Sequence, residues 1–290
     1  MFPAKIEKYV RPTSIADALN ALGEFDEGEA IFLAGGQSAM QAIKSRMLRP
    51  ACIIDLQGIA ELQGIDASGG GLTIGAMTRY VEIANATSLS GAFAALVDGA
   101  ARVGDRQVRN RGTIGGDIAH GDPGNDHPAI MMALDASFTL VGPNGSRQVA
   151  ANDFYLGTFY TALEADEILT EIRFAPQPPN TGASYQKLKR KTGDFATAAT
   201  AAVIEMSGDT CQSARIALTN LGPTALRASD AEAVLVGQTI TDELIEQAAQ
   251  KAMDICDPAE DLRGDAEYKT HMGGEMTRRA IRTAIERAKG

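Results

Sequence analysis

The sequence predicts an α+β protein in two parts, on three observations. Short apolar, strand-like segments alternate with helically spaced ones through the first 57 residues. A longer stretch of the same mixed character runs from about Leu62 to Arg173. Then Pro176-Gln177-Pro178-Pro179-Asn180-Thr181-Gly182 breaks the composition, and beyond it strands come first and helices after. A sheet covered by helices is the simplest architecture for that last part.

The elements follow in order. Ser14 is placed to cap a helix through Leu22, and Ile31-Phe32-Leu33-Ala34 reads as a buried strand. After Gly35-Gly36, Met40, Ile43 and Met47 recur at helical spacing until Arg49-Pro50, and Ile53-Ile54-Asp55-Leu56 restores a strand. Gly71 to Gly75 is strand-like and Ala92 to Val103 helical. Pro128 suits the first turn of a helix reaching about Leu134. Phe138-Thr139-Leu140-Val141 and Arg147-Gln148-Val149, joined across Gly142-Pro143-Asn144-Gly145, predict a hairpin, and Glu167 to Phe174 alternates as a strand. Past the Pro-rich break, Ala183 to Leu188, Ala198 to Met206 and Ala214 to Leu221 predict strands. Thr241-Asp242-Glu243 opens one helix and the region of Asp265 another, on which Tyr268, Met272, Met276, Ile281 and Ile285 form the expected apolar stripe.

Composition narrows the function. With 290 residues, 44% hydrophobic and 22% charged, the chain has material for a sizeable core. A net charge of −10 argues against a nucleic-acid binder, whose affinity comes largely from neutralising phosphates. The first eight residues contain no apolar h-region, so no secretory signal is expected, and no apolar run approaches the ~20 residues of a membrane span. Three widely spaced cysteines, Cys52, Cys211 and Cys256, fit a reduced cytoplasmic protein. They form no CxxC or Cys/His ligand spacing, so neither zinc nor an iron–sulfur cluster is expected on this chain.

Two glycine turns carry the chemistry. Ala34-Gly35-Gly36-Gln37-Ser38 follows a strand and opens a helix, so its N–H groups are placed to meet a phosphate. It is neither a P-loop nor a GxGxxG fingerprint, and Ser38 is equally an ordinary helix cap. Gly112-Thr113-Ile114-Gly115-Gly116 offers the same chemistry with a threonine hydroxyl added. Together with Gly121-Asp122-Pro123-Gly124-Asn125-Asp126-His127-Pro128, the two turns suggest a long diphosphate-containing ligand gripped from two sides. Asp126 reads either as a helix cap or as a carboxylate for a ribose diol, with Asp122, Asn125 and His127 as supports. Arg106, Arg109 and Arg111 either add positive charge beside the second turn or form a solvated face. Lys187-Leu188-Lys189-Arg190-Lys191 is either another solvated face or a contact for an anionic cofactor or partner subunit. His120, His127 and His271 compose no triad or metal set, and the GxSxG elbow of a serine hydrolase is absent.

These motifs together resemble the FAD-binding medium subunits of the molybdenum hydroxylases, the family of xanthine dehydrogenase and aerobic carbon monoxide dehydrogenase. The resemblance is nearly full-length. It rests on Leu33 to Ser38, Arg49-Pro50 with Ile54-Asp55-Leu56, Ile74-Gly75-Ala76-Met77-Thr78 and Arg109 to Gly116. Gly121 to Asp126, Lys187 to Lys191 and Ala266-Glu267-Tyr268-Lys269-Thr270 look like the carbon monoxide dehydrogenase branch.

The resemblance implies an FAD-binding domain of the vanillyl-alcohol-oxidase (PCMH) type over residues 1–176, with subdomains at about 1–57 and 58–176. A smaller C-terminal α+β domain over 183–290 follows. It further implies that Ala34, Gly35, Gly36, Gln37 and Ser38, with Thr113, Ile114, Gly115 and Gly116, hold the FAD diphosphate. Asp126 would stand near the adenosine ribose, and Ile168 and Lys187 near the isoalloxazine. A positive charge at Lys187 would favour the anionic reduced flavin. Gly193-Asp194-Phe195-Ala196 has Phe195 where the carbon monoxide branch carries Tyr, leaving a ring to shield one flavin face without a hydroxyl.

The implied function is an electron-transfer subunit within an oxidoreductase. Substrate is oxidised at a molybdenum cofactor on a large subunit, and electrons cross [2Fe-2S] clusters of a small subunit to FAD and an external acceptor. The implied assembly is a dimerised heterotrimer without a transmembrane segment, the substrate being carbon monoxide or, alternatively, a purine or N-heterocycle. No catalytic acid or base is expected on this chain, since the redox chemistry belongs to the cofactor. The rival readings are a stand-alone flavin oxidase of the same fold and a non-catalytic nucleotide-binding protein.

Overall fold

Buried apolar strands joined by short helices build the first part of the computed structural model, which describes residues 3–290. Strands β1 (Lys8–Val10), β2 (Ala30–Leu33) and β3 (Cys52–Asp55) pair in parallel in the order β1-β3-β2, with β3 buried along its whole length. Parallel strands require crossovers, and helices α1 (Ile15–Leu22) and α2 (Ala39–Lys44) lie within them. Ser14 caps α1 as expected, its hydroxyl accepting from the Asp17 N–H at 3.1 Å. The strand expected over Ile31–Ala34 sits one residue earlier as β2, because Ala34 already belongs to the turn leading to Gly36, whose φ is +72°, and β1 was not expected from the sequence.

The second sheet is antiparallel. Among the described residues it holds β4 (Ile65–Asp66), β5 (Leu72–Gly75), β6 (Ser137–Gly142), β7 (Gly145–Ala150) and β10 (Ile168–Phe174), ordered β4-β5-β10-β6-β7. The hairpin expected around Pro143-Asn144 is β6–β7, closing on the Gly142–Gly145 pair. Between these strands run α3 (Tyr80–Ala84), α4 (Ala94–Arg102), α5 (Arg106–Arg111), α6 (Ile114–His120), α7 (His127–Ala133), α8 (Ala151–Phe154) and the ribbon β8 (Tyr155–Gly157) with β9 (Tyr160–Thr161). Pro128 lies in the first turn of α7, as the sequence predicts.

The last part is the antiparallel sheet β11 (Thr181–Leu188), β12 (Ala198–Ser207), β13 (Thr210–Thr219) and β14 (Leu226–Arg227), covered by α9 (Ser229–Leu235), α10 (Asp242–Asp254) and α11 (Ala266–Lys289). Thr241 and Asp265 cap α10 and α11 through Leu244 N–H (3.3 Å) and Tyr268 N–H (2.8 Å). On α11 the expected stripe holds for the buried Met276 and Ile281 and for Met272 and Ile285, which pack against the core, but not for Tyr268. Lys269, Gly273, Met276, Thr277, Ala280, Ile281 and Ala284 are buried, whereas Tyr268 is 46% exposed and Met272 half-buried. Small residues stand where the helix approaches the sheet most closely: a Cβ on Gly182 of β11 would stand 2.1 Å from the Ala284 carbonyl oxygen.

One apolar core joins the middle and last parts. Ile74, Ile114, Ile130 and Phe138 cluster with Tyr185, Ala199, Val203 and Ala217. A polar latch reinforces the join. The Asp98 carboxylate of α4 accepts from Arg287 on α11 (2.6 and 3.1 Å) and from the Tyr185 N–H (3.1 Å), while Arg102 donates to the Tyr185 carbonyl. The latch fixes β11, and β11 carries one wall of the site.

Candidate functional site

The two glycine turns meet. A Cβ on Gly35 would lie 2.3 Å from the Arg111 carbonyl oxygen and 2.7 Å from Gly112 Cα, and one on Gly115 would lie 2.4 Å from the Ala76 Cβ. No side chain fits at either place, which is why glycine stands there. Among the described residues, no backbone carbonyl accepts from the N–H groups of Gly36, Gln37 or Ser38. Ser38 begins α2 with no side-chain capping bond, so the expectation of an ordinary serine cap is not met. The first turn therefore presents a row of open donors.

The second turn is built differently from the first. Ile114 N–H donates to Thr78 O (3.0 Å), Gly115 N–H to Ala76 O (2.8 Å), and Gly116 N–H to its own cap, Thr113 Oγ1 (3.3 Å). The Ile114 side chain is fully buried in the core and does not line the cleft. The equal chemistry read from the two motifs is thus corrected. The first turn offers donors, and the second supplies a tightly seated floor with the Thr113 hydroxyl at its edge.

Between the turns and the last part opens a cleft of about 510 Å³. Ala34, Gly35, Gly36, Gln37, Ser38, Thr113, Gly115, Gly116, Asp126, Ile168 and Lys187 all line it, as does Phe195 at 44% exposure. Leu56, Met77, Val103 and Leu169 give it an apolar wall suited to a planar ring. Arg106, Arg109 and Arg111 do not line it, and Arg109 instead donates to Val103 O at 3.0 Å, closing a loop.

Asp126 caps nothing. Its carboxylate accepts from Lys187 Nζ at 2.8 Å and from the Tyr185 hydroxyl at 2.6 Å, and the Asp126 and Lys187 side chains are 5% and 2% exposed. The reading that set Asp126 and Lys187 at opposite ends of one ligand meets a pair in direct contact. Tyr185 was not foreseen, although residues two apart on a strand share a face and so place it beside Lys187. Burial first, then the charge and hydrogen bond of Asp126, push its hydroxyl pKa well above the ordinary value, so Tyr185 stays a donor.

A second unforeseen cluster lies alongside. Buried His127 places Nδ1 2.7 Å from Asp117 Oδ2 and stacks on Tyr80 at 5.1 Å between ring centroids. A carboxylate only accepts, so the proton sits on Nδ1. Asn125 donates to the Asp117 backbone oxygen (3.0 Å), and Asp122 accepts from Gly124 N–H (2.9 Å). Asn125 and Asp122 thus support the turn between α6 and α7. Burial, then the charge of Asp117, raises the Tyr80 hydroxyl pKa well above its ordinary value. Tyr80 and Asp117 both face the cleft.

Comparison with known proteins decides the family. Residues 4–178 match the model described as the FAD binding domain in molybdopterin dehydrogenase, and residues 183–284 match the CO dehydrogenase flavoprotein C-terminal domain. The chain belongs to the flavoprotein subunits of the molybdenum hydroxylases. It is 47% identical over 287 residues to the carbon monoxide dehydrogenase medium chain of Hydrogenophaga pseudoflava, covering 99% of both chains. To the caffeine dehydrogenase subunit beta of a Pseudomonas species it is 32% identical over 280 residues, 96% of this chain and 95% of that one. A solved carbon monoxide dehydrogenase from Hydrogenophaga pseudoflava superposes with a TM-score of 0.95 at 49% identity, again covering 99% of each chain.

The cofactor of this flavoprotein family is FAD, and the residues present fit it. Open N–H donors in the first turn suit a diphosphate, and the apolar wall suits an isoalloxazine. Molybdenum and iron–sulfur centres belong to the partner subunits of such complexes. No helix among the described residues is long and apolar enough to cross a membrane.

Proposed function

We propose that this chain is the FAD-carrying electron-transfer subunit of a carbon monoxide-oxidising molybdenum hydroxylase, working with a large molybdenum subunit and a small [2Fe-2S] subunit in a dimerised heterotrimer. FAD, when bound, supplies the electron chemistry between the clusters and an external acceptor. The chain's own residues bind and orient. The N–H groups of Gly36, Gln37 and Ser38 hold the diphosphate over the floor formed by Thr113, Gly115 and Gly116, with Ile114 anchoring that floor from the core. Ile168 packs against the ring system. Lys187 and Tyr185 hold the Asp126 carboxylate in one orientation, so that its outer lone pairs meet the cofactor as part of a neutral pair.

The observation that carries the reading is the meeting of both glycine turns in one cleft on a chain 47% identical to a carbon monoxide dehydrogenase medium chain. The division into residues 1–176, with subdomains at about 1–57 and 58–176, and 183–290 belongs to the same proposal. So does a cytoplasmic location, which the free thiols of Cys52, Cys211 and Cys256 support.

Co-expression with both partner subunits tests the substrate. Dye reduction dependent on carbon monoxide supports the proposal. Dye reduction by a purine or N-heterocycle, with none by carbon monoxide, overturns the substrate and leaves the electron-transfer role standing. The visible spectrum of the chain after incubation with FAD tests the cofactor site directly.

A further inference from the structure

The segment from Ala266 to Thr270 has a use that the cleft lining does not reveal. Lys269 on α11 is 1% exposed, and its Nζ donates to Ala259 O at 2.6 Å and pairs with Asp261 Oδ1 at 2.9 Å. Asp261 Oδ2 in turn accepts from Arg263 Nη1 at 2.9 Å. The other edge of that guanidinium, Nε and Nη2, reaches Asp194 Oδ1 at 3.0 and 2.8 Å. Arg190 takes the second Asp194 oxygen at 3.2 Å and holds the Leu262 carbonyl at 2.9 Å. The chain of contacts therefore runs from the C-terminal helix to the residue preceding Phe195.

The Phe195 ring is the end of that chain. It lines the cleft at 44% exposure, with the Arg263 guanidinium carbon 5.7 Å from its centroid. Its backbone N–H donates to Asp194 Oδ1 at 3.0 Å, the same oxygen that Arg263 holds. The preceding Gly193 has φ +88° and open space where a Cβ would be, and the Asp194 N–H donates back to Lys191 O at 3.3 Å, closing the turn that carries the ring. Burial works to raise the Asp194 carboxyl, but Arg263 and Arg190 outweigh it and hold the pKa below its ordinary value, so this anchor is ionised at neutral pH.

We propose that Arg263 is a positioning residue: clamped by Asp261 and Lys269, it seats the Phe195 ring at the mouth of the cleft and so sets how far small external electron acceptors can approach the bound flavin. The proposal rests on the cleft being the FAD site. A planar guanidinium grips a carboxylate and an aromatic face together, which an ammonium does less well. A cation–π contact at a partly exposed site favours the seated ring about two- to fivefold, so its loss shifts that balance by the same factor.

The chain contains no tryptophan, which makes the test clean. Phe195→Trp creates the sole tryptophan at the ring position, excited at the red edge where the six tyrosines do not absorb, and readable with and without FAD. In that background Arg263→Gln is expected to red-shift the emission, raise acrylamide quenching by about twofold or more, and weaken the quenching of tryptophan by bound FAD. Arg263→Lys is expected to fall between. In the otherwise native chain, Arg263→Gln and Phe195→Ala should raise iodide quenching of flavin fluorescence alike, and the double variant no further. Should Arg263→Gln fail to fold, Asp261→Asn loosens the same clamp and is expected to move the emission in the same direction by less.

Unchanged emission and quenching in a folded Arg263→Gln or Asp261→Asn variant overturn the proposal. So does tryptophan emission in Phe195→Trp that bound FAD does not quench. Failure of the native chain to bind FAD at all overturns the cleft assignment itself, a result the absorption spectrum separates from the other two.

Discussion

Replacing Lys187 by Met removes one partner of a buried ion pair while roughly conserving volume. With 2.8 Å between Nζ and Asp126 Oδ2, the gross attraction at an effective dielectric of ~20 is about 6 kcal/mol. Desolvation of both groups offsets much of that, and the net cost of breaking such a pair is about 3–5 kcal/mol, because the remaining charge stays buried. The Tyr185 hydroxyl, 2.6 Å from the other carboxylate oxygen, is retained and places the expected loss at the lower end, about 3 kcal/mol. For a chain of this size that is a fall in Tm of roughly 6–12 °C. The assay is thermal unfolding of the cofactor-free chain as Lys187→Met, as Asp126→Asn and as the double variant. The double should recover at least half of the summed loss, since neither charge is then left alone. A Lys187→Met loss under about 1 kcal/mol, or strict additivity in the double variant, would refute the reasoning. On the proposed cofactor site, Lys187→Met leaves an uncompensated buried carboxylate and is expected to lower the midpoint potential of bound FAD, and Asp126→Asn to raise it, read by redox titration of the loaded chain.

Three further outcomes are expected. Gly35→Ala sets a methyl 2.3 Å from a backbone oxygen and so forces the two turns apart. At an overpacking cost of about 1–3 kcal/mol, FAD affinity should fall at least about fivefold, read from the flavin-to-protein ratio after gel filtration. His127→Leu removes the 2.7 Å contact to Asp117 and should destabilise the chain by about 1–3 kcal/mol in urea unfolding, the Asp117 carboxylate losing a buried partner. Burial pushes the Cys256 thiol up to about 12 and the Cys211 thiol up to about 11, from 9.0. A raised pKa means that the folded state holds the proton more tightly. The resulting stability is present below pH 9 and drains away as pH rises through 9 towards 12. Iodoacetamide at pH 8 should therefore leave both thiols unlabelled in the native chain and label both in urea, by mass spectrometry.

Local signals carried much of the fold. Ser14, Thr241 and Asp265 cap the helices they announce, and Pro143-Asn144 closes its hairpin. Helices α5 and α6 were not read, since Arg106 to Arg111 has no apolar face and Gly115-Gly116 is a poor helix former. What holds them is capping by Asp105 and Thr113 and the packing of Ile114 and Ile118 into the core. At the site, glycine revealed where backbone approaches backbone, because only glycine survives there. The partnership of Asp126 with Lys187 spans 61 residues, and that of Asp117 with His127 depends on how α6 meets α7. Neither leaves a periodic trace in the chain. The stripe on the last helix kept its phase from Met272 to Ile285, and Tyr268, in the first turn, is the member that stands outside the core.

The latch between Asp98 and Arg287 joins residues 189 positions apart, across nearly two thirds of the polypeptide. A growing chain emerges from its N-terminus, so both glycine turns are made long before Lys187, Phe195 and the final helix. Asp98 and Arg102 of α4 already hold the Tyr185 backbone of β11, and Arg287 completes that hold when the final helix arrives. The wall facing the turns is therefore fully braced only once the final helix is in place.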